Sequence, residues 1–113
     1  MPKDDAVRLR HMLEAAQEAI YFVQERTRAD LDRDRMLVLA LTKCVEIIGE
    51  AAYQLELVTQ TQLPTIPWDD IIAMRHRLVH AYFDINLDIL WQTIQDDLPP
   101  LAEKLHNFLD KTS

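Results

Sequence analysis

An all-α fold is what this sequence predicts, on three observations. Aliphatic residues recur at intervals of three and four rather than two, the period of an amphipathic helix. A single glycine and five prolines in 113 residues leave little of the turn chemistry that hairpins need. Apolar residues make up 49% of the chain and charged residues 27%, the balance of a folded core with a solvated shell. At this length one domain spanning residues 1–113 is expected.

The first helix is expected from about Asp4 to about Arg26, with Asp4 or Asp5 as its cap. Leu9, Met12, Leu13, Ala16, Ile20 and Val23 form its apolar stripe. Arg8, Arg10 and His11 read as a solvated basic face, the alternative being help in holding a phosphate backbone. Thr27 to Arg35 alternates in sign and reads as a turn that opens the second helix, with Asp30 or Asp32 as cap. The second helix should run from about Asp34 to Leu57. Leu37, Leu41, Cys44, Ile48, Ala51 and Leu55 keep a seven-residue beat, and Val38, Val45 and Ala52 widen the stripe, as in a central helix with several neighbours. Cys44 falls on that apolar face and reads as a core residue. Gly49, Ala51 and Ala52 form a small-residue patch that another helix could approach closely.

Thr59 to Pro67 reads as a loop. Pro67 suits a helix start, and Asp69 and Asp70 suit the positive end of its dipole. A third helix is expected from about Trp68 to His80 or slightly beyond. Asp84 to Asn86 reads as a turn, with Asn86 capping the fourth helix. From Leu87 to Leu109 the three-four pattern returns, interrupted by Pro99-Pro100, where a kink or restart is expected. The sum is an antiparallel bundle of four or five helices.

No run of 18 apolar residues is present, so no membrane span is expected. The N-terminus lacks a secretory pattern and the lone cysteine cannot form an internal disulfide, which makes the cytoplasm the expected compartment. The net charge of −7 and pI of about 4.9 oppose non-specific binding to nucleic acid. A nucleic-acid site would need a local concentration of positive groups.

One stretch offers that. Residues 74–86 read Met-Arg-His-Arg-Leu-Val-His-Ala-Tyr-Phe-Asp-Ile-Asn, and between Asp70 and Asp84 no acidic residue intervenes. Arg75, His76, Arg77 and His80 form the patch, and Arg75, His80 and Tyr82 are spaced Arg-x4-His-x-Tyr. On an ideal helix Ile71, Ile72, Leu78 and Val79 lie within about 60° of Arg75, which therefore projects from the middle of an apolar face. A charge there needs a partner, a crevice or a subunit interface. His80 lies about 140° round the same helix. Either the helix ends near His80, or a second copy of the chain supplies the missing group, a hint of a symmetric dimer.

RNA cleavage without a metal needs a base for the 2′-hydroxyl, a cation for the phosphorus oxygens and an acid for the leaving oxygen. Histidine titrates near neutrality and can be acid or base. Arginine stays charged and grips two phosphate oxygens at once. Glu46 and Glu50, at i and i+4 on the second helix, repel each other unless cations pair with them, and one could orient an arginine or histidine of the cluster. His76 and His80 also match the spacing of helical zinc ligands.

The string from Trp68 to Phe83 closely resembles the HepT-like branch of the HEPN superfamily. The resemblance extends to Val45-Glu-Ile-Ile-Gly-Glu-Ala-Ala52, Leu87-Asp-Ile-Leu-Trp91 and Asp97-Leu-Pro-Pro-Leu101, and covers nearly the whole chain. It implies an all-helical HEPN-type bundle and a homodimer, or a higher even oligomer, with the Arg-x4-His motif in a cleft between protomers. It implies a metal-independent ribonuclease toxin of a toxin–antitoxin pair, needing no cofactor of its own. The implied partner is a minimal nucleotidyltransferase that attaches AMP from ATP to Tyr82. Arg75 would then hold phosphate, His80 would be the acid–base group, and His76, Arg77 and Glu46 would be accessory. The family usually has Asn or Asp directly after the motif arginine; His76 stands there in this chain. The competing expectation is a nucleotide-binding or scaffold subunit that does not cut RNA. In the AMP reading, bulk and negative charge beside Arg75 would block RNA in both shape and charge.

Overall fold

The computed structural model describes residues 1–81 and 84–112. Its helices are α1 (Lys3–Phe22), α2 (Asp30–Arg33), α3 (Arg35–Gln54), α4 (Leu57–Thr61), α5 (Trp68–Leu78), α6 (Leu87–Gln92) and α7 (Leu98–Thr112). A π-helical segment, Thr93–Asp97, joins α6 to α7, and two short strands, β1 (Val79–Ala81) and β2 (Asp84–Ile85), pair antiparallel between α5 and α6. The all-α expectation holds, with this small ladder as its one β element among the described residues.

The apolar stripes do what their spacing dictates. Leu9, Met12 and Ala16 of α1, Leu41, Val45 and Ile48 of α3, and Leu98 and Leu105 along α7 are fully or almost fully buried in one core. At about 25 cal/mol per Å² of apolar surface, each such leucine or isoleucine contributes on the order of 2 kcal/mol of transfer free energy. Met74 and Leu78 of α5 and Leu90 of α6 close the same core from the far side. Cys44 is buried on α3, as expected, and burial first, with the nearby Glu18 charge second, pushes its thiol up to about 11.

Several boundaries differ from the sequence expectation, each for a local reason. Helix α1 stops at Phe22, short of Arg26, and the chain turns through Glu25 at φ 61°. Neither Asp4 nor Asp5 caps it; Pro2 holds the N-cap position without a side-chain bond. Asp34, rather than Asp30 or Asp32, caps α3, accepting from the Leu37 N–H at 3.1 Å. Asp30 instead accepts from the Thr27 N–H at 2.7 Å and shapes the turn before α2. The charged turn is laced by pairs of Arg26 with Asp34 and of Arg28 with Asp32 and Asp88. Asn86 caps α6 as expected, through the Ile89 N–H.

The expected loop from Thr59 to Pro67 contains the end of α4. Its anchor is remote in sequence: Asp5, fully buried on α1, accepts from the Thr59 hydroxyl at 2.6 Å and the Glu56 N–H at 3.1 Å. The break at Pro99-Pro100 takes the form of the π segment just upstream. Pro99 and Pro100 have no N–H for the carbonyls of Gln95 and Asp96, and their rings crowd those carbonyls. The turn widens, so that the Leu98 N–H reaches Thr93 O, five residues back.

Candidate functional site

Helix α5 carries the basic stretch and ends sooner than its apolar period suggests. It stops at Leu78 rather than His80, with Val79 already extended at φ −107° and ψ 104°. The Leu78 carbonyl, which would otherwise be an orphan of the last turn, accepts the Asn86 N–H at 2.7 Å. The returning chain therefore terminates the helix. His80 lies in β1 and not on α5, so the 140° separation expected of one continuous helix does not apply. Neither does the helical i, i+4 spacing of His76 and His80 proposed for zinc. Tyr82 lies outside the described residues.

Arg75 does not project from the middle of the buried face. The buried stripe of α5 is Ile71, Met74 and Leu78, and Arg75 stands at its edge with 47% of its side chain exposed. There it meets α3. Its Nε donates to Glu46 Oε1 at 3.1 Å, and Lys43 Nζ approaches the other carboxylate oxygen at 3.8 Å. Glu46 thus lies between two cations, which relieves its repulsion with Glu50. Of the two candidates at i and i+4, it is Glu46 that contacts the arginine; Glu50 accepts from Gln54 Nε2 instead. The two arginines in the last turn of α5 also lie at the negative end of its dipole, a structural reason for Arg75 and Arg77 to sit there.

The four-residue basic patch is divided by the helix itself. Arg75 and His76 line an open groove of about 490 Å³ between α5 and α3, with Glu46, Gly49, Glu50, Tyr53 and Ile72. Arg77, about 160° round α5 from Arg75, turns to the other side. Its Nη2 donates to Asp70 O at 3.2 Å. It lines a smaller cavity of about 170 Å³ with Asp70, Asp96, Asp97 and Lys104. Burial there raises the Asp97 carboxyl, opposed by the Arg77 charge and aided by Asp96 and Asp70.

Two groove residues escape a sequence search for titratable motifs, Gly49 and Tyr53. The signal was present as geometry: Glu46, Glu50 and Tyr53 follow one another at intervals of four and three, so α3 presents them on one face. Gly49 lies against α5, where the expected small-residue patch permits close approach. A Cβ there would stand 3.5 Å from Ile72 O and 3.7 Å from Ile71 O, ordinary contacts, so space alone does not demand glycine. Among the described residues no three His, Cys, Asp or Glu side chains converge as ligands for a metal ion. No described helix is long and apolar enough to cross a membrane.

Fold and groove together define a class: an all-α bundle that presents a charged, open groove beside a helix end. The comparison with known families is specific. The model of the family described as "Ribonuclease HepT-like" matches residues 12–108, and the chain belongs to that family. It is 33% identical over 103 residues to the Caldanaerobacter subterraneus subsp. tengcongensis protein named "Putative RNase TTE0752", covering 91% of this chain and 92% of the relative. It is 36% identical over 96 residues to the Thermococcus cleftensis protein named "Probable ribonuclease HepT", covering 81% and 87%. No solved structure matches the chain.

Proposed function

We propose that this protein is a metal-independent endoribonuclease, the toxin of a toxin–antitoxin pair, with Arg75 and His80 as its catalytic residues. The family match is the observation that carries the reading, and the placement of Arg75 supports it. Among the described residues, Arg75 is hydrogen-bonded to Glu46 through Nε; in this reading its two Nη groups grip phosphate oxygens as a pair. His80 follows in β1, where it supplies the titrating group. The reaction is an internal transfer. A base takes the 2′-hydroxyl proton, the 2′-oxygen bonds to phosphorus, and the 5′-oxygen leaves with a proton from an acid. Arg75 stabilises the charge on the non-bridging oxygens. A two-fold dimer would bring two of each group to one cleft.

In this reading Tyr82 accepts AMP from a partner nucleotidyltransferase that uses ATP. The phenol, with a reference pKa of about 10, needs that enzyme to become a nucleophile. The added phosphate places negative charge two residues from His80. The reading places the protein in the cytoplasm, as one domain. Co-expression with such a nucleotidyltransferase should add the mass of AMP to a peptide containing Tyr82; modification confined to Tyr21 or Tyr53 contradicts this role.

A second reading, a binding or scaffold subunit without nuclease activity, is favoured by His76 directly after Arg75 and by two carboxylates in the groove. The separating experiment is cleavage of RNA by purified protein in a chelator. Nuclease activity should appear and fall by roughly 100-fold or more in His80→Ala, with the helical circular dichroism unchanged. If the wild-type protein never cuts RNA, in solution or in cells, the scaffold reading stands.

A further inference from the structure

We infer that Tyr53 is the platform of a nucleobase subsite in the Arg75 groove, which makes the substrate a single-stranded RNA with an unstacked base beside the phosphate that Arg75 holds. The inference rests on the nuclease reading for its phosphate and on independent geometry for its base. Tyr53 is a wall of the same groove as Arg75 and His76, and it is 67% exposed. The one ring pair among the described residues is Tyr21 with Phe22, so no other described aromatic covers Tyr53. A large aromatic face left to water on the wall of an open groove is a stacking surface for any base.

Spacing supports the assignment. Glu46, which fixes the Arg75 guanidinium, and Tyr53 are seven residues apart on α3, about 10 Å along the helix axis. A nucleotide spans that interval from its phosphate to the far edge of its base. Between them lies Gly49, which adds no side chain to the groove, and a volume of about 490 Å³ is open there. Charge sorts the two ends. The Arg75 charge favours the phosphate. Glu50, three residues before Tyr53, repels a phosphate from the Tyr53 end and leaves that end to an uncharged base. A base inside a duplex is stacked on its neighbours and cannot lie on the ring, hence the demand for a single strand.

The test uses a short 2′-O-methyl oligoribonucleotide, which has no free 2′-hydroxyl and cannot be cut, carrying 2-aminopurine. Bound to the wild-type protein, the fluorescent base should be quenched by stacking. Tyr53→Ala should weaken binding roughly 10- to 100-fold and abolish the quenching, whereas Tyr53→Phe, which keeps the ring, should stay within about three-fold. Equal affinity and quenching in Tyr53→Ala would overturn the subsite, and so would failure of the wild-type protein to bind the probe. Ordinary RNA assayed in parallel separates the two readings. Tyr53-dependent binding without any cutting supports the subsite while overturning the nuclease.

Discussion

Two polar constellations in this molecule have opposite fates. Asp5 is wholly buried and holds three donors: the Thr59 hydroxyl, the Glu56 N–H and Arg8 Nη1 at 2.9 Å. Glu46 and Arg75 form an exposed pair joined by one hydrogen bond, with 34% and 47% of their side chains open. The first constellation is satisfied within the chain, and it ties α1 to α4. The second lies on an open surface, with one hydrogen bond from Arg75 to Glu46 among the described residues. A buried polar group must be satisfied by its own chain, whereas an exposed one can be satisfied by a ligand. That contrast, more than residue type, separates the structural carboxylate from the arginine proposed to hold phosphate.

The largest effect expected on stability comes from removing the buried partner. Asp5→Ala leaves the Thr59 hydroxyl and the Glu56 N–H without their acceptor, at a cost of about 1–3 kcal/mol. Thermal unfolding should shift down by roughly 5 °C or more. A smaller fall would show that water replaces the carboxylate and would weaken the comparison.

Acid titration sharpens it. Burial alone would raise the Asp5 carboxyl, but the bonds from Thr59, Glu56 and Arg8 outweigh it and hold the pKa below 3.8. A folded pKa below the unfolded one gives stability that is present above the unfolded value of about 3.9 and is lost as pH falls through the folded value. Unfolding free energy measured against pH should therefore drop less steeply below about pH 4 in Asp5→Asn than in the wild type. Parallel acid slopes would contradict the assignment.

At the exposed pair the order reverses. Glu46→Gln should change stability by less than about 0.5 kcal/mol, as expected of a surface ion pair. It should still reduce RNA cleavage by several-fold, because the guanidinium loses its fixed orientation. A denaturant midpoint shifted as far as that of Asp5→Ala would make Glu46 a structural residue instead. The smallest effect belongs to Cys44. With its thiol near 11 and its side chain in the core, it should resist alkylation at pH 8 in the folded protein and react only after unfolding. Rapid labelling of the native protein would show that the α1–α3 core opens.

The same contrast explains what could be read from the chain beforehand. Helices α1, α3 and α7 were legible because their stripes are local and periodic. The end of α5 was not, since Val79 continues the apolar period while the bond that stops the helix comes from Asn86, eight residues on. The small helix α4 was hidden for a similar reason: its sequence is Thr- and Gln-rich, and its anchor Asp5 lies more than fifty residues away. Arg75 and Glu46 were visible as residues of the right chemistry. That Arg77 turns to the opposite groove follows from helix phase, but Tyr53 joins the lining of the Arg75 groove only when α3 and α5 are set side by side.

Arg75 and Arg77 carry the same charge two positions apart on one helix, yet they face different grooves. Replacing each with alanine changes the net field equally, so any difference in RNA cleavage reports on place alone. The account predicts a loss of roughly 100-fold or more in Arg75→Ala and activity within about three-fold of wild type in Arg77→Ala, both folded. Equal losses in the two variants, or a greater one in Arg77→Ala, would contradict it.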